Sequence, residues 1–146
     1  MTRVPFEYLE DGVTSDVTFH AWGRDLDELF RAAADATVQV MVESLESIRP
    51  AETRRLCLHA EALDLLLLRF LNEQIFLKDA DGLLLRAATV HIDTSSDGYD
   101  LRAELRGEPI DPVRHDLLAD VKAVTLHGLS VEKVEAGWRA QVTLDV

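Results

Sequence analysis

The stretch ALDLLLLRFLNEQIFLKD (residues 62–79) constrains the fold more than any other part of the chain. Its apolar residues fall on nearly every side of a helix, so it has no broad wet face and must be wrapped by the rest of the protein. DADG (79–82) supplies the stop. A second helical pattern, RDLDELFRAAADATVQVMV (24–42), carries Leu26, Leu29, Phe30, Ala33, Thr37, Val40 and Met41 at helical spacing. Asp25 followed by Glu28 reads as a variant capping box that fixes its start. These patterns predict helices over 25–43 and 62–78, with Leu29, Phe30, Leu66, Phe70 and Leu71 in the core.

The remaining segments read as strands. DVTFHAWG (16–23) alternates Val17, Phe19 and Ala21 inward against Thr18, His20 and Trp22, and in WRAQVTLDV (138–146) Val142, Leu144 and Val146 alternate in the same way. RRLCLHAEA, LLLRAATVHID, YDLRAELRGEPI and VKAVTLHGLSVEKV are strand-like, separated by the turn signals SSDG, DPVRH and EAG. Two helices among six or seven mostly hairpin-linked strands predict one α+β domain over 1–146. Its sheet is expected to be mainly antiparallel, with both helices packed on one face. A β-sandwich is the alternative, and two long buried helices argue against it.

Charge and composition exclude some functions. At a formal net charge of −12 the chain lacks the basic surface that nonspecific nucleic-acid binding needs, so no direct nucleic-acid binding is expected. A hydrophobic content of 47% with 29% charged residues is that of a folded globular protein, not a disordered tail. No run approaches the ~20 apolar residues of a membrane span and no signal peptide opens the chain, so a cytoplasmic protein with no membrane contact is expected. The single Cys57 excludes an internal disulfide and is expected to be a buried small apolar residue.

Polar residues able to carry chemistry gather in four places: Asp16 ending VTSD; Asn72 and Glu73 on the apolar helix; Glu108, Asp111, Arg114, His115, Lys122 and His127 in GEPIDPVRHDLLADVKAVTLHG; and Asp145 beside Val146. Each also has a plain structural reading, as turn, wet helix stripe, solvated loop or strand residue. Lys122 stands out because only three lysines accompany twelve arginines. No spacing matches a zinc site, a P-loop, a dinucleotide-binding glycine fingerprint or a nucleophile elbow. Asp145 next to a terminal carboxylate places two negative groups side by side, and they repel.

The order of SDVTFHAWGRDLDELF, RFLNEQIF, GEPIDPVRH, DVKAVTLHGLSVEK and GWRAQVTLDV resembles the archease family, small acidic proteins that activate the tRNA-splicing RNA ligase. The resemblance runs from FEYLE to the last residue. One departure is visible: the family's His-Thr-Ala-Asp is here Val13-Thr14-Ser15-Asp16, so the His is missing, and any role it has in the family is either absent here or passes to Asp11 or His20. The resemblance implies that Asp16, Asp145 and the α-carboxylate of Val146 bind a divalent cation, calcium first, with magnesium or manganese as alternatives. Carboxylate oxygens are hard ligands that suit all three. It also implies a partner- or nucleotide-facing surface with Lys122 as a phosphate or carboxylate contact, supported by Glu73, Arg114 and His115. The function implied is a non-catalytic helper that promotes guanylylation and multiple turnover of the RNA ligase and broadens its nucleotide use. The rival readings are a chaperone or specificity modulator of an RNA-modifying methyltransferase, and a metal-dependent hydrolase built on the same carboxylates.

Overall fold

The computed structural model describes residues 4–9 and 16–146. Seven strands and two helices follow the chain as β1 (Phe6–Leu9), β2 (Asp16–Gly23), α1 (Leu26–Met41), β3 (Glu52–Ala60), α2 (Leu63–Asp81), β4 (Leu83–Ser95), β5 (Gly98–Pro109), β6 (Ala123–Val134) and β7 (Gly137–Asp145). A short 3-10 turn at Leu45–Ser47 lies between α1 and β3. The α+β reading of the sequence holds, and both helices fall within a few residues of their expected limits. The strands, however, divide into two antiparallel sheets, ordered β1-β2-β7-β6 and β3-β5-β4. Each helix contacts strands of both, α1 touching β2, β7 and β4, and α2 touching β6, β3, β4 and β5.

Local chemistry explains the helix limits. Asp25 caps α1, its carboxylate accepting the Glu28 amide at 2.8 Å. Glu28 turns back to the Arg24 amide (3.2 Å) and side chain, so the box closes one residue earlier than the usual pattern. Gly82 ends α2 in the left-handed conformation, φ 66°, and its amide donates to the Lys78 carbonyl at 2.9 Å.

Leu29, Phe30, Leu66, Phe70 and Leu71 are all fully buried, with the Phe30 and Phe70 rings 5.9 Å apart. Arg86 on β4 clamps Asp35 of α1 through two 3.0 Å hydrogen bonds. Gln74 on α2 donates to the Ala34 and Leu85 carbonyls, joining both helices to β4. The helix α2 is less completely wrapped than its composition suggests. Leu65 and Phe76 face out, and Phe76 is 58% exposed. Cys57 is exposed, not buried. In β3 the inward positions are Leu56 and Leu58, which places Cys57 on the outer row opposite Arg102.

Two irregular segments complete the fold. Residues 110–122 cross from β5 to β6 over the end of α1, held by Ile110 to Gly82, Leu118 to Met41 and Ala119 to Val40 backbone bonds. In β6, Thr125 pairs with Thr143 and Ser130 with Gln141. Residues 126–129 therefore arch away where the partner strand has only Val142. Gln141 holds the arch by donating to the Gly128 carbonyl at 3.1 Å, and Gly128 sits at φ 66°. No helix of the described residues is long and apolar enough to cross a membrane.

Phe70 and Phe76 are one residue type on one helix in opposite environments. Phe70→Ala should lower unfolding free energy by about 3–5 kcal/mol, and Phe76→Ala by no more than about 0.5 kcal/mol. Urea denaturation of the two variants checks the difference.

Candidate functional site

The β2–β7 pairing builds the candidate site. Asp16 lies directly opposite Asp145, and the ladder continues through Val17–Leu144 and Thr18–Thr143 to Gly23–Trp138. Phe19, Ala140, Val142 and Leu144 are fully buried. By the two-residue period, Asp16, Thr18, Asp145 and Thr143 share the opposite face. Directly opposed side chains have Cβ atoms about 5 Å apart, and like charges there repel. At that separation two carboxylates cost roughly 1 kcal/mol in water and about 3 kcal/mol at the effective dielectric of a protein surface. Among the described residues, neither carboxylate has an ion pair or a side-chain hydrogen bond that would offset this. Below them a buried threonine row continues the face, with Thr18 and Thr143 hydroxyls 2.9 Å apart and Thr125 donating to the Thr143 carbonyl at 3.2 Å.

Lys122 comes to the same end. Its backbone amide donates to the Asp145 carbonyl at 2.8 Å, and Ala123 pairs with Asp145 in the ladder. The Lys122 side chain is exposed. Val146 follows Asp145 and is half-buried. The segment is held from the other side by α2, where Asn72 accepts the Val124 amide at 3.0 Å. Glu73 is half-buried and adjacent to Asn72 on that helix.

Arg114 and His115 are placed differently. Both point at one oxygen of Glu108, His115 at 3.0 Å and Arg114 in close contact, and the Arg49 amide adds a third donor at 2.7 Å. The His115 side chain is fully buried; its Nδ1 accepts the Asp111 amide at 2.9 Å, so Nε2 carries the proton that goes to Glu108. Arg114 also donates to the Ser47 carbonyl at 2.7 Å. These partners pin the crossing segment to β5 and to the turn before β3. Burial opposes ionisation of Glu108, but the Arg49 amide, Arg114 and His115 outweigh it and hold the carboxyl at a pKa of about 2.

Lys78 has a role that nothing in the sequence marks beyond the scarcity of lysine. Its side chain is 6% exposed, yet its ammonium reaches Asp120, Asp79 at 2.8 Å and the Val121 carbonyl at 2.8 Å. Burial pushes against its charge, and the hydrogen bonds it donates to Asp120 and Asp79 raise its pKa above the ordinary lysine value. Of the two candidates for the missing family histidine, Asp11 lies outside the described residues, as do Val13, Thr14 and Ser15. His20 sits two rows along β2 from Thr18, bonded to Gln141 at 2.9 Å.

As a donor set, Asp16 and Asp145 supply hard oxygen ligands with no competing base. Among the described residues no three His, Cys, Asp or Glu side chains gather closely enough to hold a metal alone. A cation here would need further oxygen from Val146, from the backbone or from water.

Two antiparallel sheets with two helices that each contact both sheets define the structural class, an α+β fold. A solution structure of Methanobacterium thermoautotrophicum protein 1598 superposes on it with a TM-score of 0.85 at 34% identity, covering 99% of this chain and 100% of that one. A crystal structure from Thermotoga maritima, described as an archease and possible chaperone, matches with a TM-score of 0.64 at 17% identity over 96% of this chain and 99% of that one, a likeness of fold alone. In sequence, protein archease of Pyrococcus abyssi is 35% identical over 91% of this chain and 94% of its own length. Protein archease of Methanopyrus kandleri is 33% identical over 98% and 100%. The model of the archease protein family matches residues 6–146. The chain belongs to the archease family.

The Glu108 cluster yields a pH prediction. A carboxyl whose folded pKa is depressed stabilises the fold above its ordinary value of 4.5, and that contribution disappears as pH falls toward about 2. Thermal melts taken from about pH 6 down to about pH 2 should therefore show a loss of stability that Glu108→Gln largely removes, because the amide is neutral throughout. Near neutral pH, Glu108→Gln should itself be destabilised by about 2–4 kcal/mol, through loss of the charge that pairs Arg114.

Proposed function

We propose that this protein is a non-catalytic activator of an RNA ligase of the tRNA-splicing type, and that its working end is the β2–β7 terminus with Lys122. The observation that supports this reading most directly is the register of Asp16 opposite Asp145, with the Lys122 backbone bonded to Asp145. Two opposed carboxylates with no cationic partner among the described residues are costly for a fold and useful for a cation site.

In this reading Asp16, Asp145 and the Val146 carboxylate hold one divalent cation, with calcium the best fit to an open, irregular oxygen set. When bound, such an ion supplies positive charge that neutralises the acidic pair and attracts phosphate oxygens. Lys122, exposed beside that pair, adds a mobile point charge for a phosphate or a partner carboxylate. Asp16 and Asp145 are fixed by the ladder, so the geometry does not depend on loop ordering. The acidic protein, at −12, suits a basic RNA-binding partner, and opposite potentials speed encounter. Glu73, half-buried next to Asn72 on α2, is assigned to the same partner-facing side in this reading. Arg114 and His115 contribute from beneath, holding the segment that leads to Lys122. The helper's effect is on the partner's reaction: it promotes formation of the ligase–GMP intermediate and its renewal after each turnover.

The test mixes the chain with its cognate ligase and GTP and measures ligase–GMP formation, alongside calcium calorimetry. Asp16→Ala and Asp145→Ala should each weaken calcium binding by about tenfold or more and abolish most activation, since each removes one of few ligands. Extending the chain beyond Val146 converts its carboxylate to an amide and should do the same without changing a side chain. Lys122→Ala should impair activation with calcium binding and melting temperature near wild type. If the extended chain binds calcium and activates normally, the Val146 carboxylate is not a ligand. Activation that is absent in the wild-type chain, with capture of an RNA methyltransferase instead, would favour the rival partner.

A further inference from the structure

Two side chains of α2 grip the same short segment at both ends. Lys78 donates to the Asp120 carboxylate and the Val121 carbonyl, and Asn72 accepts from the Val124 amide. Lys122 lies between the gripped residues, and its own amide is bonded to Asp145. The spacings agree. Six residues of helix rise about 9 Å, and three residues of extended chain cover about 10 Å. The helix therefore presents its two contacts at the separation the segment requires.

The chemistry of each contact fits a positioning task better than a stabilising one. An ammonium has three donors, and Lys78 meets three acceptors: Asp120, Asp79 and the Val121 carbonyl. Its side chain is 6% exposed. Burying a charge to make such contacts gives little net stability compared with an apolar side chain of similar volume, while it fixes one geometry. Asn72 satisfies an amide on the outer edge of β6, where no strand of the described residues pairs. That bond stops β6 from shifting along β7 at the point where Lys122 enters.

We propose that Asn72 and Lys78 are positioning residues that clamp residues 120–124 and thereby hold Lys122 in register with the Asp16–Asp145 pair. This rests on the proposed role of Lys122 and the carboxylate pair as the working end. The clamp acts through the backbone: Lys78 fixes the carbonyl before Lys122, Asn72 fixes the amide two residues after it, and Asp145 takes the amide of Lys122 itself. A displaced Lys122 would keep its charge and lose its place.

The experiment compares Asn72→Leu, Asn72→Asp, Lys78→Met and Lys122→Ala with wild type. Asn72→Asp retains the acceptor oxygen and serves as the conservative rescue. Amide hydrogen exchange of residues 121–125 is read by NMR, calcium binding by calorimetry, stability by thermal melting, and activation by ligase–GMP formation. Asn72→Leu should speed exchange of the Val124 amide by about fivefold to tenfold, the effect of losing one hydrogen bond. It should lower activation by a similar factor while calcium affinity stays within about twofold, because neither carboxylate has moved off its ladder. Asn72→Asp should restore both exchange protection and activation. Lys78→Met should loosen the Lys122 and Ala123 amides and lower activation by more than any accompanying fall in melting temperature accounts for.

Unchanged exchange at 121–125 in folded Asn72→Leu and Lys78→Met overturns the clamp. So does activation that falls in step with melting temperature, or that Asn72→Asp fails to rescue. If Lys122→Ala activates like wild type, the role of Lys122 falls instead, and the exchange measurement still judges the clamp by itself.

Discussion

The antiparallel pairing of β2 with β7 is the constraint on which the rest depends. It joins strands whose facing threonines lie 125 positions apart in the chain, and it sits at the centre of a four-stranded sheet between β1 and β6. Its register is set by burial. Phe19, Ala21, Ala140, Val142 and Leu144 have no exposed surface, and a slip of one residue in either strand would turn that strand's set outward. Fully burying a side chain the size of Phe, Val or Leu is worth about 1.5–3 kcal/mol. No single polar contact on the other face competes with that set. Asp16 therefore faces Asp145 because the opposite face of the same two strands is apolar, and the core itself enforces the repulsion between them.

That arrangement explains why the surrounding elements look as they do. A pair of like charges at a sheet end loosens the last ladder positions unless the neighbouring backbone is held. Here Lys122 bonds to the Asp145 carbonyl, and α2 holds the approach to Lys122 from the far side. The threonine row of Thr18, Thr143 and Thr125 ties three strands together one step below the carboxylates. The crossing segment 110–122 is anchored at its start by Glu108, Arg114 and His115 and near its end by Lys78, with backbone bonds to Val40 and Met41 between. Its exposed residues, Val113 at 96% among them, are carried by a backbone bonded at several points. Arg114 and His115 thus fix the origin of the segment that leads to Lys122. His115 does so from inside the protein and Arg114 from a half-buried position.

Much of this was legible in the sequence, and the parts that were not share a cause. Helical spacing located α1 and α2, and Asp25 and Gly82 are the caps that their residue types suggest. The alternation in 16–23 and 138–146 named the two strands that meet at the site, and Asp16, Asp145 and Lys122 converge there. What periodicity could not supply is which strands share a sheet. Seven strands and two helices satisfy their local patterns equally well with one sheet or two, and only tertiary packing decides. Cys57 illustrates the same limit: a small residue in a strand carries no signal of its face until Leu56 and Leu58 are known to point inward. Lys78 was opaque for another reason. A buried polar side chain is tolerated when distant partners meet it, and two partners of Lys78, Asp120 and Val121, lie more than forty positions away. The arch at 126–129 reads as plain strand because its departure shows only against the register of β7.

The proposed working end draws on residues that no local segment brings together: Asp16 from the first long strand, Lys122 from the crossing segment, Asp145 from the last strand, and Asn72 and Lys78 from α2. Contacts of such wide sequence separation form with the completed fold, because each closes a long loop whose entropy only the packed core repays. In a partly folded chain the two carboxylates are separate, the buried lysine is hydrated, and Lys122 has no fixed relation to either. A cation or a basic partner that recognised the end as a unit would therefore distinguish the native state from every less complete one, and its binding energy would add to native stability through mass action. The repulsion that the core imposes between Asp16 and Asp145 is the counterpart of that selectivity. A positive group that meets both at once would relieve it most fully, and the two side chains meet only where β2 and β7 are paired.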